Sequence, residues 1–339
     1  MHAAVVHAEA QPDAMLPIER ALLAEAGATL ICADSTDTDT IIAAAHTADI
    51  LLSEFAPISR RLLEGLPRCQ AVVCYAIGLD HVDLAAATEL GIIVAHTPGF
   101  CADEVSTHAL MFLLACARRL LPLDRRLRAG WWPDGQRLEA ELLPMGALRG
   151  ERLGLVGFGS IARLVAQKAQ AFGLVVSACD PLAPDTAFAA AGVARLELDQ
   201  LLVTSDYVSL HAPLLPATRH MLGAAQLAQM KSSAFLINTS RGALVDEAAL
   251  VTALRSGQIA GAALDVFVHE PPAPDHPLLQ LENVIVTPHS AYCSNAAYTR
   301  VRHMAAEAAA QVLRGEWPAA VGNPQVRGRS RMERQGGRS

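Results

Sequence analysis

The chain has 339 residues, 52% of them apolar and 18% charged, with a formal net charge of −7. That length exceeds what one hydrophobic core usually organises, so two domains of roughly 100 to 200 residues are expected. The acidic balance gives no basic face for nucleic-acid phosphates, no run of about 18 apolar residues offers a membrane span, and scattered cysteines without a C-x-x-C pair fit reduced thiols rather than disulfides or a zinc site.

From the N-terminus, apolar or β-branched runs alternate with Ala/Leu-rich helical segments: AAVVHA, PIERALLAEAG, TLICAD, DTIIAAAH, DILLSE, SRRLLEGL, AVVCYA, DLAAATELG and IIVAH. This alternation predicts a parallel sheet with helices on both faces, filling residues 1–97. A long helix is expected from Ala102 to about Arg128, where apolar residues recur at helical spacing. An irregular Trp/Pro/Gly stretch follows from Gly130 to Gly146.

The alternation then restarts with LGLVGFG, IARLVAQKAQAFG, LVVSACD, a helix near Ala187 to Gly192, DYVSLHAP, AAQLAQM, AFLINTS, DEAALVTALRSG, GAALDVF and NVIVTPH. A second parallel sheet of about six strands is expected. The amphipathic stretch NAAYTRVRHMAAEAAAQVLRG has no strand to follow, so it is expected to pack back on the first domain and make that domain discontinuous. The final VRGRSRMERQGGRS is Arg-rich without apolar periodicity, and residues 323–339 read as a disordered tail. The first residues lack the basic start and cleavage site of a secretory signal, which points to a cytoplasmic protein.

The strand LGLVG runs into Gly157-Phe158-Gly159-Ser160-Ile161-Ala162 and then a helix, the context a G-x-G-x-x-A motif needs to signify a dinucleotide site. Gly157 permits a tight turn, Gly159 a close approach of pyrophosphate, and Ala162 helix packing. The helix start at Ser160 and Ile161 presents free N–H groups to phosphates. Asp180 ends the next strand, where a carboxylate accepts from the ribose hydroxyls and repels a 2′-phosphate, favouring NAD over NADP.

With these features in view, the chain resembles the D-isomer-specific 2-hydroxy-acid dehydrogenases over residues 1 to about 323. The resemblance rests on YAIGLDHVDLAAATELGIIVAHTPG, LGLVGFGSIARLVAQKAQAFG, SLHAPLLPATRHM, FLINTSRGALVDEAALVTAL, AGAALDVFVHEPP and VIVTPHSA. The TPHSAYCSNAA ending looks most like the subgroup of the C-terminal binding protein co-repressors. It implies an α/β protein of two doubly wound parallel-sheet domains. A discontinuous flavodoxin-like substrate domain, 1–97 plus 293–322, would flank an inserted Rossmann NAD-binding domain, 98–292.

Reduction of a 2-keto acid needs a group to hold the carboxylate and a group to supply a proton. Arg241 follows AFLINTS and can grip a carboxylate bidentately; His289 follows NVIVTP and can exchange a proton near neutral pH; Glu270, just past GAALDVF, would favour the imidazolium. The family pattern selects these three as catalytic, and Glu270 argues against formate dehydrogenase chemistry, whose relatives carry Gln there.

The same resemblance implies cofactor contacts at Ile77, His211, Ala212, Pro213, Thr218, Thr239, Ser240, Asp265 and Ala291, besides Arg241 and His289. It implies substrate contacts at Ser53, Phe55, Ala76, Ile77, Gly78 and Tyr292, with Arg241 and His289. Glu54 reads as a solvated outward group, or, if it faces the substrate, as a bar to a second anion. The expected partners are a small 2-keto or 2-hydroxy acid and a second copy of the chain, through the apolar helix after Ala102; no nucleic acid, membrane or metal is expected. The alternative is an NAD-sensing, co-repressor-like interaction protein with incidental turnover.

Overall fold

The computed structural model describes residues 3–9, 16–133, 135, 142 and 145–336; part of the expected irregular stretch, at 134, 136–141, 143 and 144, lies outside them, as do 337–339. The chain divides into two units, Met1–Phe100 with Ser294–Ser339, and Cys101–Cys293.

The first unit is built on β1 (Ala3–His7), β2 (Ala28–Cys32), β3 (Ile50–Ser53), β4 (Ala71–Cys74) and β5 (Ile93–Ala95). They pair in parallel in the order β2-β1-β3-β4-β5, which is the flavodoxin-like order. Every residue of β3, β4 and β5 is buried, as a sheet covered by helices on both faces requires. The helix Asn295–Leu313 packs on Pro17–Glu25 and β4. At that contact Arg302, 4% exposed, sets its Nη1 2.7 Å from Oε1 of Glu19, which is fully buried.

The expectation of a disordered tail is corrected for the described residues. A 3-10 turn at Pro324–Val326 and a helix at Arg331–Gly336 follow, and Val326 and Met332 are buried. Arg331 donates to the carbonyls of Leu66, Cys69 and Leu90 at 2.6, 3.0 and 2.9 Å. A guanidinium that bonds three carbonyls at once orders its segment without needing apolar periodicity, and composition carries no sign of that.

The second unit carries β6 (Arg152–Val156), β7 (Val175–Cys179), β8 (Ala194–Arg195), β9 (Tyr207–Leu210), β10 (Phe235–Asn238), β11 (Gly261–Leu264) and β12 (Val284–Val286). Their order is β12-β11-β10-β9-β6-β7-β8, all parallel, the Rossmann order extended by one strand. The unforeseen strand is β8, two exposed residues with no apolar signature.

The long helix expected from Ala102 is two, Ala102–Ala117 and Leu120–Arg128, separated at Arg119 with φ +50. Pro122 explains the break: its ring would clash with the carbonyl four residues earlier and it has no N–H for a continuous helix. Among the described residues, no helix is long and apolar enough to cross a membrane.

Candidate active site

In the second unit the Gly157 loop, Asp180, His211 and the segments at Thr239–Arg241, Asp265–Glu270 and Thr287–Ala291 follow the carboxyl ends of β6, β7, β9, β10, β11 and β12. The sequence changes winding direction between β6 and β9, and ligands of open α/β sheets bind outside the carboxyl ends at such a switch.

Gly157 has φ +91, and a Cβ there would stand 2.7 Å from the backbone of His211 and Ala212, so only glycine fits the crossing of the two loops. Gly159 differs. Its φ of −73 suits any residue and no described protein atom lies within 4 Å of an added Cβ, so neither conformation nor packing within the protein demands a glycine, and the space beside it is open to a ligand. Ser160 and Ile161 open the helix Ser160–Ala171, which has no side-chain cap, and Ala162 is fully buried beneath it.

Asp180 accepts from Phe158 N at 2.8 Å, Leu182 N at 2.8 Å and Ala183 N at 3.2 Å. It thereby ties the glycine loop to the end of β7. A carboxylate has about four lone-pair sites, which leaves room for a ribose hydroxyl.

His211 packs its Nε2 2.9 Å from Ser209 Oγ, and burial pushes its pKa down to about 4, so the ring is neutral. Ala212 is buried and Pro213 exposed. Thr218 uses its hydroxyl inside its own loop, donating to Pro213 O at 2.7 Å and accepting from Leu215 N. Ser240 donates to Leu210 O at 2.8 Å, whereas the buried Thr239 hydroxyl has no partner among the described residues. An orphaned hydroxyl at this sheet edge, the uncapped helix and the Asp180 carboxylate together fit a dinucleotide.

Arg241 stands on a turn organised by Asn238, 1% exposed, which accepts from Ser240 N at 3.0 Å and donates to Arg241 O at 2.9 Å. A Cβ on the next residue, Gly242, would lie 2.0 Å from the carbonyl carbon of Phe267. The loops after β10 and β11 therefore touch backbone to backbone, which brings Arg241 near Glu270.

Glu270 receives Phe267 N on Oε1 at 2.9 Å and meets His289 Nδ1 with Oε2 at 2.6 Å. Burial alone would raise its pKa; the His289 contact, the Phe267 N–H and the Arg241 guanidinium outweigh it and hold the carboxyl below its ordinary value. The three residues selected from sequence thus share one cluster.

His289 occupies the left-handed region, φ +50, a conformation costly for a non-glycine residue unless its surroundings enforce it. Its N–H is held by Asp265 O at 2.8 Å. The Asp265 carboxylate, 1% exposed, accepts from Thr287 Oγ1 and from Ser290 N and Ala291 N, both at 2.9 Å. His108 from helix Ala102–Ala117 braces Thr287 Oγ1 at 3.0 Å, with its own pKa lowered by burial. Asp265, expected to meet a cofactor, shapes the His289 loop through these three donors, which, as at Asp180, leaves a lone-pair site for a further one. Tyr292 sets its ring at 80° to His289, centroids 6.4 Å apart. A cavity of about 390 Å³ is lined by Asp265, Glu270, Pro272, Leu279 and His289.

The remaining predicted residues lie in the first unit. Phe55 is exposed, and Ala76, Ile77 and Gly78 are half-buried after β4. Thr97 N donates to Ala76 O at 3.0 Å and the His96 ring meets Ile77 O at 3.1 Å, fixing that turn. Ser53 differs from its expected substrate contact: it is fully buried, with its hydroxyl donated to Glu9.

Glu54 is not the outward, solvated group expected. It is half-buried, and burial first, then the charge of Glu9, raise its pKa to about 7 against the opposing pull of Arg302. The folded chain retains this proton up to about pH 7 while the unfolded chain releases it near the ordinary 4.5. The associated stability is full below the lower value and is lost as pH rises through the upper one. Glu54→Gln should therefore raise Tm relative to the parent at pH 8, by an amount corresponding to about 2 kcal/mol after allowance for partial exposure; an identical Tm difference at pH 4 and pH 8 would refute this.

Sequence reasoning missed Asn238, Glu9, Thr287 and His108. Of these only Asn238 carried a local signal, an Asx residue closing a strand before a turn.

Residues 110–291 match the family model for the D-isomer specific 2-hydroxyacid dehydrogenase, NAD binding domain. The chain is 40% identical over 288 residues to the glyoxylate reductase of Korarchaeum cryptofilum, covering 84% of this chain and 86% of that one. The D-lactate dehydrogenase of Aquifex aeolicus, solved with NAD and lactic acid, superposes with a TM-score of 0.85 at 27% identity, over 94% of this chain and 99% of that one. The NADPH-dependent glyoxylate/hydroxypyruvate reductase of Sinorhizobium meliloti, solved with NADP and malonate, gives 0.82 at 25% identity, over 96% and 98%.

Proposed function

The chain belongs to the D-isomer-specific 2-hydroxyacid dehydrogenase family, and we propose that it reduces a small 2-keto acid to the D-2-hydroxy acid with NADH, using Arg241, Glu270 and His289. It is an NAD-dependent oxidoreductase of 2-hydroxy acids. The observation that carries the residue assignment is the Glu270–His289 contact of 2.6 Å beside Arg241 at the carboxyl edge of the dinucleotide sheet.

Glu270 engages Nδ1 of His289, so Nε2 is the atom that exchanges the proton with the substrate oxygen. The Arg241 guanidinium grips the carboxylate and polarises the adjacent carbonyl. When bound, NADH supplies the hydride. The Gly157–Ile161 loop takes the pyrophosphate and Asp180 a ribose hydroxyl, with Thr239 and Ser240 alongside. Asp180 disfavours a 2′-phosphate, and the nearby Arg195 is already paired with Asp185 at 2.5 Å, which supports NAD over NADP.

In this reading Cys101–Cys293 is the NAD-binding domain and the first unit the substrate domain, presenting Phe55 and the Ala76–Gly78 turn. Exposed Met111, Leu120, Leu127 and Trp132 in the second unit support a homodimer.

The test is NADH, and separately NADPH, against glyoxylate, hydroxypyruvate, pyruvate, phenylpyruvate, oxaloacetate and 3-phosphohydroxypyruvate, followed by nicotinamide absorbance. NADH loss with glyoxylate or hydroxypyruvate and slower loss of NADPH are expected. NADH binding without turnover of any acid would replace this reading with an NAD-sensing interaction protein.

A further inference from the structure

The winding of the first unit reverses between β1 and β3, which are neighbours in the sheet although a helical connection separates each from the next strand in sequence. Glu9 lies two residues past β1, and the Ser53–Ala56 segment leaves β3 beside it. One oxygen of Glu9, Oε1, accepts from Ser53 Oγ at 2.9 Å, Glu54 N at 3.0 Å, Phe55 N at 2.8 Å and Ala56 N at 2.7 Å. The residue is 6% exposed, and its second oxygen stands 3.6 Å from Nδ1 of the buried His7.

A carboxylate collecting three consecutive backbone N–H groups and a hydroxyl is a nest for a loop: the charge-assisted bonds fix the path of four residues at once. Among the described residues the loop has no other comparable anchor on its N–H side, and what it holds up is Phe55, 62% exposed. The anchored backbone therefore fixes where this apolar side chain meets solvent.

We propose that Glu9 is the positioning residue for substrate selection: by holding the Ser53–Ala56 backbone it sets where Phe55 stands, and so which side chain on the keto acid is accepted. The proposal rests on the reading above that this loop borders the substrate's side chain. Glu9 acts through the loop and touches no reacting atom. Its effect therefore falls on acids that carry a side chain beyond the keto carbon and spares glyoxylate, which has only hydrogen there. A general loss of fold would reduce both alike.

The experiment compares the parent enzyme with Glu9→Ala and Glu9→Gln, each checked for folding by Tm and for NADH affinity. Glyoxylate and phenylpyruvate are measured side by side, as KM where turned over and as Ki where not. Glu9→Ala is expected to change the phenylpyruvate-to-glyoxylate ratio about tenfold, with NADH affinity unchanged. Glu9→Gln, which retains one acceptor oxygen, should recover most of the parental ratio.

An unchanged ratio in folded Glu9→Ala overturns the proposal. If that variant does not fold, Glu9→Asp decides the matter: its shorter side chain withdraws the carboxylate from the Glu54, Phe55 and Ala56 N–H groups, and a parental ratio in folded Glu9→Asp overturns the proposal. Failure of the underlying reading looks different: the parent itself would turn over no 2-keto acid.

Discussion

His289→Ala is expected to lower kcat by about 10²- to 10⁴-fold near neutral pH, the usual worth of a positioned general acid, while NADH binding survives. The survival follows from distance along the sheet edge: the glycine loop follows β6 and Asp180 follows β7, whereas His289 follows β12 at the far side of the order. Glu270→Gln should cost less than His289→Ala, because an amide oxygen still accepts from Nδ1 but the negative charge is gone. Glu270 also holds Phe267 N, so its amide form must lose part of that support too. Full kcat in His289→Ala with the best keto acid would remove this residue from the chemistry. Equal losses in NADH affinity and kcat would instead make it a structural element.

Gly242→Ala should impair both stability and catalysis. Its Cβ would enter the Phe267 backbone, with the carbonyl carbon at 2.0 Å, its oxygen at 2.3 Å and Val268 N at 2.4 Å. Backbone cannot rotate aside as a long side chain can, so the loops after β10 and β11 must separate. Overpacking of this sort costs about 1 to 3 kcal/mol or more. One loop carries Arg241 and the other Glu270, and moving them apart by an ångström would lower kcat/KM on the order of 10²-fold. Thermal unfolding and kinetics on the same preparation check both halves. A variant with parental Tm and parental kcat/KM would show that the contact is not required.

Much of this is legible in sequence. Both parallel sheets announce themselves because buried parallel strands are short continuous apolar runs, as in AVVC and ILLS. The selection of Arg241, Glu270 and His289 draws on the family resemblance, and their meeting in one cluster is a matter of loops that follow strands of one edge. What escapes shares a physical cause. Glu9 and the Ser53–Ala56 N–H groups are more than forty residues apart, and a long-range bond from one carboxylate leaves no periodicity behind. Arg331 is a similar case, since an Arg-rich segment looks solvated until its carbonyl partners on other elements are known. The Pro122 break is readable, but the strong apolar period on either side outweighs it.

The pairing of Glu19 with Arg302 spans 283 residues, and this fixes an order of events during synthesis. All five strands of the first unit are complete by Ala95, yet the helix that brings Arg302 emerges only after the whole of Cys101–Cys293 has been made. Until then Glu19 faces a site destined to be closed to water with no cation to meet it, and an ionised carboxylate resists such closure strongly. The second unit, contiguous in sequence, has no such dependence on a later segment. The final packing of the first unit around Glu19 therefore cannot be completed until the segment carrying Arg302 has been made, after the whole of the second unit.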